Sequence, residues 1–221
     1  MSPSPGLVAL RTWSEWPDAV KYFRKLIATR GAQNVTADVA AFKARYAAMP
    51  SAAVVDAVLS VRKKYVPLVV PAMDAWIAAN PTATLASITA NGAGAVEGKP
   101  ATWRGHATIQ GVAAALLNFG GVGADDARRT AEWSAAAAPF RYHHRLDPVG
   151  AVNGIGPALF NYLLMRSGQD ALKPDGRVKE QLKRSGLSNT TRIDDLDALF
   201  LAEAMAEELR LDRLWFDKLL W

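Results

Sequence analysis

Two features of this chain could do chemistry. The first is the turn Asn153-Gly154-Ile155-Gly156-Pro157, which opens into a stretch that is apolar on most sides and stops at Gly168. Glycine tolerates positive φ and lets another backbone come close. Gly156 suits an N-cap, and Pro157 suits the first helical position, where its missing N–H has no intrahelical partner to lose. Such a turn presents several unpaired backbone N–H groups at a helix N-terminus, a ready site for a phosphate oxygen. The second feature is Asp175, at the head of the next helical stretch. Its carboxylate reads as an N-cap that the helix dipole keeps ionised.

Charge is concentrated around both features. The net charge is +5 over 221 residues, with a sequence pI near 9.6, which alone indicates no polyanionic partner. Phe140 to Arg192, however, holds nine Lys and Arg against four Asp and Glu, an excess that accounts for the whole net charge. A solvated, basic surface is the plain reading; basicity beside a phosphate-ready turn shifts it toward nucleic acid.

The chain contains no Cys, so disulfides, thiolate metal sites and a cysteine-held iron–sulfur cluster are excluded. Three His, two of them adjacent at His143 and His144, give little material for a histidine metal site. The N-terminus has no basic region followed by an apolar core, and no stretch reaches the roughly 18 apolar residues of a membrane span. A soluble cytoplasmic protein is the expectation.

The elements that must position the two features read as helices throughout. Residues 1–12 are Pro/Ser-rich and read as a loose lead-in. Ser14 to Arg30 has helical apolar spacing with Ser14 as N-cap and Gly31 as stop. Thr36 to Met49 repeats the form with Thr36 as N-cap, and Ser51 to Tyr65 follows with Arg62, Lys63 and Lys64 at its end, where cations suit the dipole. Pro71 to Ala79 and Thr82 to Asn91 are shorter. Gly92 to Arg104 carries no period and reads as a hinge, dividing one 1–221 unit into halves of about 1–95 and 105–221. Gly105 to Phe119, Ala124 to Ala137, a short Arg145 to Val152, Pro157 to Ser167, Asp175 to Arg184 and an acidic Asp194 to Glu208 complete the set, and the Trp-rich tail is expected to pack back on the body. With no strand pattern and no repeat, the fold class is all-α.

Helix, Asn-Gly-Ile-Gly turn, helix is the form of a helix-hairpin-helix, and the surrounding sequence resembles the helix-hairpin-helix DNA glycosylases, the superfamily of endonuclease III and the 3-methyladenine glycosylases. The resemblance covers roughly Leu146 to Gly186, with the hairpin at 146–168. Gly154-Ile155-Gly156 supplies the hairpin, Tyr162-Leu163-Leu164 the buried helix, and Asp175 falls where the family's catalytic aspartate would. The resemblance implies a glycosylase-like helical bundle of two halves with a cleft between them. It also implies hydrolysis of an N-glycosidic bond in double-stranded DNA by a monomeric protein of the nucleoid. The target base would be flipped out of the stack, and Asp175 would stabilise the oxocarbenium-like transition state or orient the attacking water. Backbone N–H groups around Asn153, Gly154, Gly156 and Ala158 would hold a phosphate, where a monovalent cation could also sit. Arg177, Lys179, Lys183 and Arg184 would add phosphate contacts. No other cofactor or metal is implied.

Departures from the family pattern narrow this. Members that also cut the abasic strand carry a lysine two residues after the second hairpin glycine; Ala158 stands there, which implies a monofunctional enzyme without lyase activity. Lys173 is the nearest substitute and reads more simply as a phosphate contact. Gly176-Arg177 differs from the Thr-His of the endonuclease III branch, and Asp175 with Lys179 is closer to the alkyladenine branch, which stacks electron-poor bases on aromatic faces. Trp103, Trp133 and Tyr162 are the aromatic residues to consider for a base pocket, with core packing as the plainer role. His143 and His144 read as surface histidines or DNA contacts. Asp194 to Glu208 reads as a solvated face turned away from DNA. Two rival readings remain: a non-catalytic helix-hairpin-helix DNA-binding protein, and an all-α protein in which Gly154-Ile155-Gly156 is a simple turn.

Overall fold

The structure, a computed structural model, describes residues 3–61, 63–96, 98–100, 102–188 and 192–221. Arg62, expected at a helix C-terminus, lies outside the described residues. These residues form α-helices and short 3-10 or π turns, with no strand among them, as the all-α reading requires. Two compact units emerge, 1–42 with 170–221, and 43–169. The chain therefore changes unit after Phe42 and again after Gln169. The Gly-rich stretch 92–104 joins two helices packed on each other within one unit, so it is not the boundary between halves.

The central unit is built around α4 (Pro50–Leu59), whose residues from Ser51 to Leu59 are all buried. Its Ala and Val side chains are short enough for neighbours to approach from every side. Around it pack α5 (Val70–Ala79), α6 (Leu85–Asn91), α7 (Gly105–Leu116), α8 (Asp126–Ala137) and α9 (Pro157–Arg166). Thr84 caps α6 in a reciprocal capping box with Ser87, and Asp125 caps α8. The helix expected over Ser51 to Tyr65 ends at Leu59, and Tyr65–Val69 forms a separate π turn.

In the terminal unit α1 (Pro5–Leu10), α2 (Trp16–Arg30) and the first part of α3 (Ala32–Ala44) join α10 (Gly176–Arg184), α11 (Asp195–Leu209) and α12 (Arg213–Leu220). The loose lead-in expected over residues 1–12 is fixed from Ser4 onward: Ser4 caps α1, and Glu207 accepts from both the Ser4 backbone N–H (2.6 Å) and hydroxyl (2.7 Å). Nor is Thr36 an N-cap. It lies inside α3, its hydroxyl donating to the Ala32 carbonyl, because the helix restarts directly after Gly31. The acidic helix α11 is the unit's core, not a solvated face. Ala198, Leu199, Leu201, Ala202, Ala204, Met205 and Ala206 are buried; its carboxylates lie in the first turn and at the end, except Glu203, which is buried mid-helix and pairs with Arg213. The tail packs as expected, with Phe216 of α12 edge-on to Phe23 at 5.3 Å.

Candidate functional site

The turn at 153–156 lies in the central unit, fastened by Thr108 and preceded by a turn that Asp147 caps. In place of a helix over Arg145 to Val152 there is a 3-10 turn, His144–Leu146, and then a single turn capped by Asp147. The buried Asp147 carboxylate accepts from Val149 N (2.8 Å), Gly150 N (3.2 Å) and the Trp133 indole N–H (3.1 Å). Gly150 is obligatory, since a Cβ there would meet the His144 carbonyl oxygen at 1.9 Å. A full helix cannot pass through so close an approach, which is why the expected first helix is only one turn. Gly154 has φ +92° and would press a Cβ against Thr108 Oγ1 at 2.6 Å; that hydroxyl donates to the Asn153 carbonyl at 2.9 Å. Gly156 caps α9 without a side chain, and space is open where its Cβ would be. The backbone N–H groups of Gly154, Gly156 and Ala158 make no hydrogen bond among the described residues.

The helix behind the turn is firmly seated. Leu159 to Met165 are buried, and α9 ends in a Schellman motif, with Gln169 N donating to Leu164 O at 3.0 Å and Gly168 at φ +94°. Below it lies a polar cluster absent from the sequence reading. Asp56, fully buried on α4, accepts from Tyr162 (2.7 Å), Tyr65 (2.9 Å) and Arg166 (3.2 Å), and Arg166 stacks on Tyr46 at 4.7 Å. Burial and the Asp56 charge push the Tyr65 and Tyr162 hydroxyls upward, so both remain protonated donors.

Asp175 belongs to the terminal unit and does cap α10. Its Oδ1 accepts from Arg177 N (2.9 Å) and Val178 N (3.3 Å), while Oδ2 lies 3.9 Å from the Lys173 ammonium. Lys173 is itself buried, its backbone N–H donating to the fully buried Asp217 (3.0 Å), which also accepts from Lys218 (3.0 Å). Burial, with Asp217 nearby, raises the Asp175 carboxyl above the ordinary carboxylate range despite Lys173 and the two backbone donors. The expectation that the helix dipole dominates is thus corrected: desolvation outweighs it.

The other residues divide. Arg177 stacks on Trp221 (4.6 Å) and donates to its carbonyl (2.7 Å), Lys179 pairs with Asp195 (2.5 Å), and Arg184 pairs with Glu180 (2.9 Å). Lys179, exposed Lys183 and Arg192 line one cavity of about 270 Å³ beside Gly176. Trp133 and Tyr162 cannot offer a free face to a base. Trp133 is fully buried with its N–H on Asp147, and Tyr162 is buried against Arg166 and Asp56. Trp103 is half-buried, with the Lys99 ammonium 4.7 Å from its ring centre, and Gly105 leaves room for that ring. His143 is exposed, while the His144 ring tilts toward Phe160 at 6.1 Å. No group of three or more His, Cys, Asp or Glu suited to a metal occurs among the described residues, and no helix among them is long and apolar enough to cross a membrane.

Asp147 was the residue most open to sequence reading, because Asp147-Pro148 is an N-cap followed by proline at the first helical position. Thr108, Asp56 and Asp217 left no such local signal. No family model, curated protein or solved structure matches the chain.

Proposed function

We propose that this chain binds double-stranded DNA through the 153–158 turn and acts on it as a monofunctional DNA glycosylase, releasing a damaged, alkylated base by hydrolysis. The observation that carries the reading is the bare helix terminus. Among the described residues, three backbone N–H groups at Gly154, Gly156 and Ala158 have no acceptor, on a turn that Thr108 fastens and that follows the turn capped by Asp147. A rigid array of amides at the positive end of a helix is preorganised for a phosphate oxygen. Asp175 supplies the carboxylate, one oxygen fixed by two backbone N–H groups and the other toward Lys173. In its ionised form it stabilises positive charge on the sugar as water adds at C1′ and the bond to the base breaks. Ala158 offers no amine, so no imine with the sugar forms at the hairpin. The protein would work as a cytoplasmic monomer at the nucleoid, with a helical bundle of the glycosylase type.

A second reading, a helix-hairpin-helix DNA-binding protein without excision activity, draws on one observation. The raised Asp175 carboxyl already serves as the cap of α10. A single assay separates the two. Duplex oligonucleotides carrying methylated purines are incubated with the protein, the abasic product is cleaved with alkali, and binding to the same duplexes is measured against salt. Release with salt-dependent binding supports the glycosylase, and binding without release supports the second reading. Salt-independent or absent binding removes both.

A further inference from the structure

We infer that the cleft between the end of α4 and the start of α5 is a binding site for a small amphiphilic anion, a carboxylate or phosphate on a short aliphatic chain, a role independent of the DNA reading above. A cavity of about 270 Å³ opens there within the central unit. Leu59 of α4 and Pro67, Leu68 and Val69 of the π turn give it an apolar lining, and Lys63 and Lys99 add two ammonium groups.

The lysines carry the charged half of the site. Among the described residues four lysines are buried or half-buried: Lys99, Lys173, Lys179 and Lys218. The last three each stand within 3.9 Å of a carboxylate, that of Asp175, Asp195 and Asp217 respectively. Lys99 has no carboxylate partner among the described residues; its neighbours are the Trp103 ring, 4.7 Å from the ammonium, and the ammonium of Lys63. Burial and the Lys63 charge hold Lys99 below the ordinary lysine value. Two cations kept together repel, and an anion set between them replaces that repulsion with charge-assisted hydrogen bonds.

An inorganic anion alone would leave the other half of the site bare. Leu68 lines the cavity yet is 53% exposed, and it gains free energy once an aliphatic chain covers it. A DNA strand brings phosphate but no such chain, so the charge and the apolar lining together select an amphiphile. Size limits which one. At roughly 30 Å³ for each water-sized group the space holds about nine non-hydrogen atoms, which fits a chain of about seven carbons ending in a carboxylate and is too small for a nucleotide.

Isothermal titration calorimetry of the full chain with heptanoate tests the site. Wild type should bind heptanoate, and hexyl phosphate likewise, at one site, with acetate, which lacks the chain, and 1-heptanol, which lacks the charge, each about tenfold weaker or worse. The double variant Lys63→Gln, Lys99→Gln should weaken heptanoate about tenfold, the worth of a hydrogen bond to a charged group, while Lys99→Arg keeps it. Leu68→Gln should weaken heptanoate several-fold and leave acetate unchanged. Lys63 and Leu68 are exposed, and Lys99 loses only a like-charge contact, so the thermal midpoints of these variants should not fall. Undiminished heptanoate binding in the double variant overturns the inference, as does acetate binding as tightly as heptanoate. Displacement of heptanoate by an intact DNA duplex also overturns it, since the lysines would then belong to a DNA surface. Binding to phosphatidylglycerol vesicles without binding to free heptanoate overturns it in favour of a lipid surface.

Discussion

Helices α9 and α10 begin with the same backbone problem and solve it oppositely. At α10 the chain fills its own terminus, Asp175 taking the N–H groups of Arg177 and Val178. At α9 the cap is Gly156, no side chain reaches back, and the first amides stay open. A terminus filled by its own carboxylate repels a phosphate; one left bare attracts it. The two termini are not interchangeable, then: one leaves its first amides open, the other is filled by an anion of its own chain. The cations near α10 follow the same logic, since Arg177 and Lys179 are engaged by Trp221 and Asp195.

The contrast can be broken most severely at Asp175. Asp175→Asn keeps an equally good cap but removes the charge. Base release should fall by about 10² to 10³, as for loss of one electrostatic stabiliser of a transition state, with duplex affinity unchanged in a fluorescence-anisotropy titration. Undiminished release would remove Asp175 from the chemistry.

Next in size is strain at the turn. Gly154→Ala places a Cβ at φ +92° against Thr108 and should cost about 1–3 kcal/mol in urea unfolding. Gly156→Ala, with open space and φ −109°, should cost well under that. Equal losses at both would mean that the turn is not held as described.

Converting one terminus into the other sharpens the comparison further. Gly156→Asp should stabilise the fold by a few tenths of a kcal/mol, while weakening duplex binding about tenfold and reducing the slope of log K against log salt by about one. Stabilisation without loss of affinity would show that the open amides do not meet DNA.

The smallest effect is in pH. Asp175 is raised in the folded state above its unfolded value, so the folded state holds that proton more tightly. The stability this contributes is complete below the unfolded value and is lost as pH rises through the folded one. Asp175→Asn should therefore be no less stable than wild type at neutral pH, with its relative advantage shrinking on acidification. In wild type the acid limb of base release should lie above the ordinary carboxylate range. Asp217→Asn, by removing the negative charge that helps raise Asp175, should move that limb to lower pH; an unmoved limb would show that Asp217 has no influence on Asp175.

Most helices were legible because apolar spacing, caps and glycine stops are local signals, as at Gly31, Gly168 and Asp175. Local signals misled where tertiary packing overruled them. The charges of α11 suggested a solvated face, yet all but buried Glu203 lie near its ends and the Ala and Leu between them form the core. Arg145 to Val152 has helical composition, but the close approach of Gly150 to His144 leaves room for one turn only. Trp133 and Tyr162 are aromatic enough for a base pocket; Asp147 and Asp56 claim their polar atoms instead.

By itself the sequence determined the all-α class, the exclusion of cysteine-held metal, the bare glycine cap at 156 and the acidic cap at 175, because each depends on residue type or on neighbours within one helical turn. Tertiary structure alone decided that the chain divides at Phe42 and Gln169, that Thr108 fastens the 153–156 turn, and that burial raises the Asp175 carboxyl despite its place at a helix N-terminus. Those outcomes depend on groups brought together from distant positions, and on the water they exclude, which no local pattern encodes.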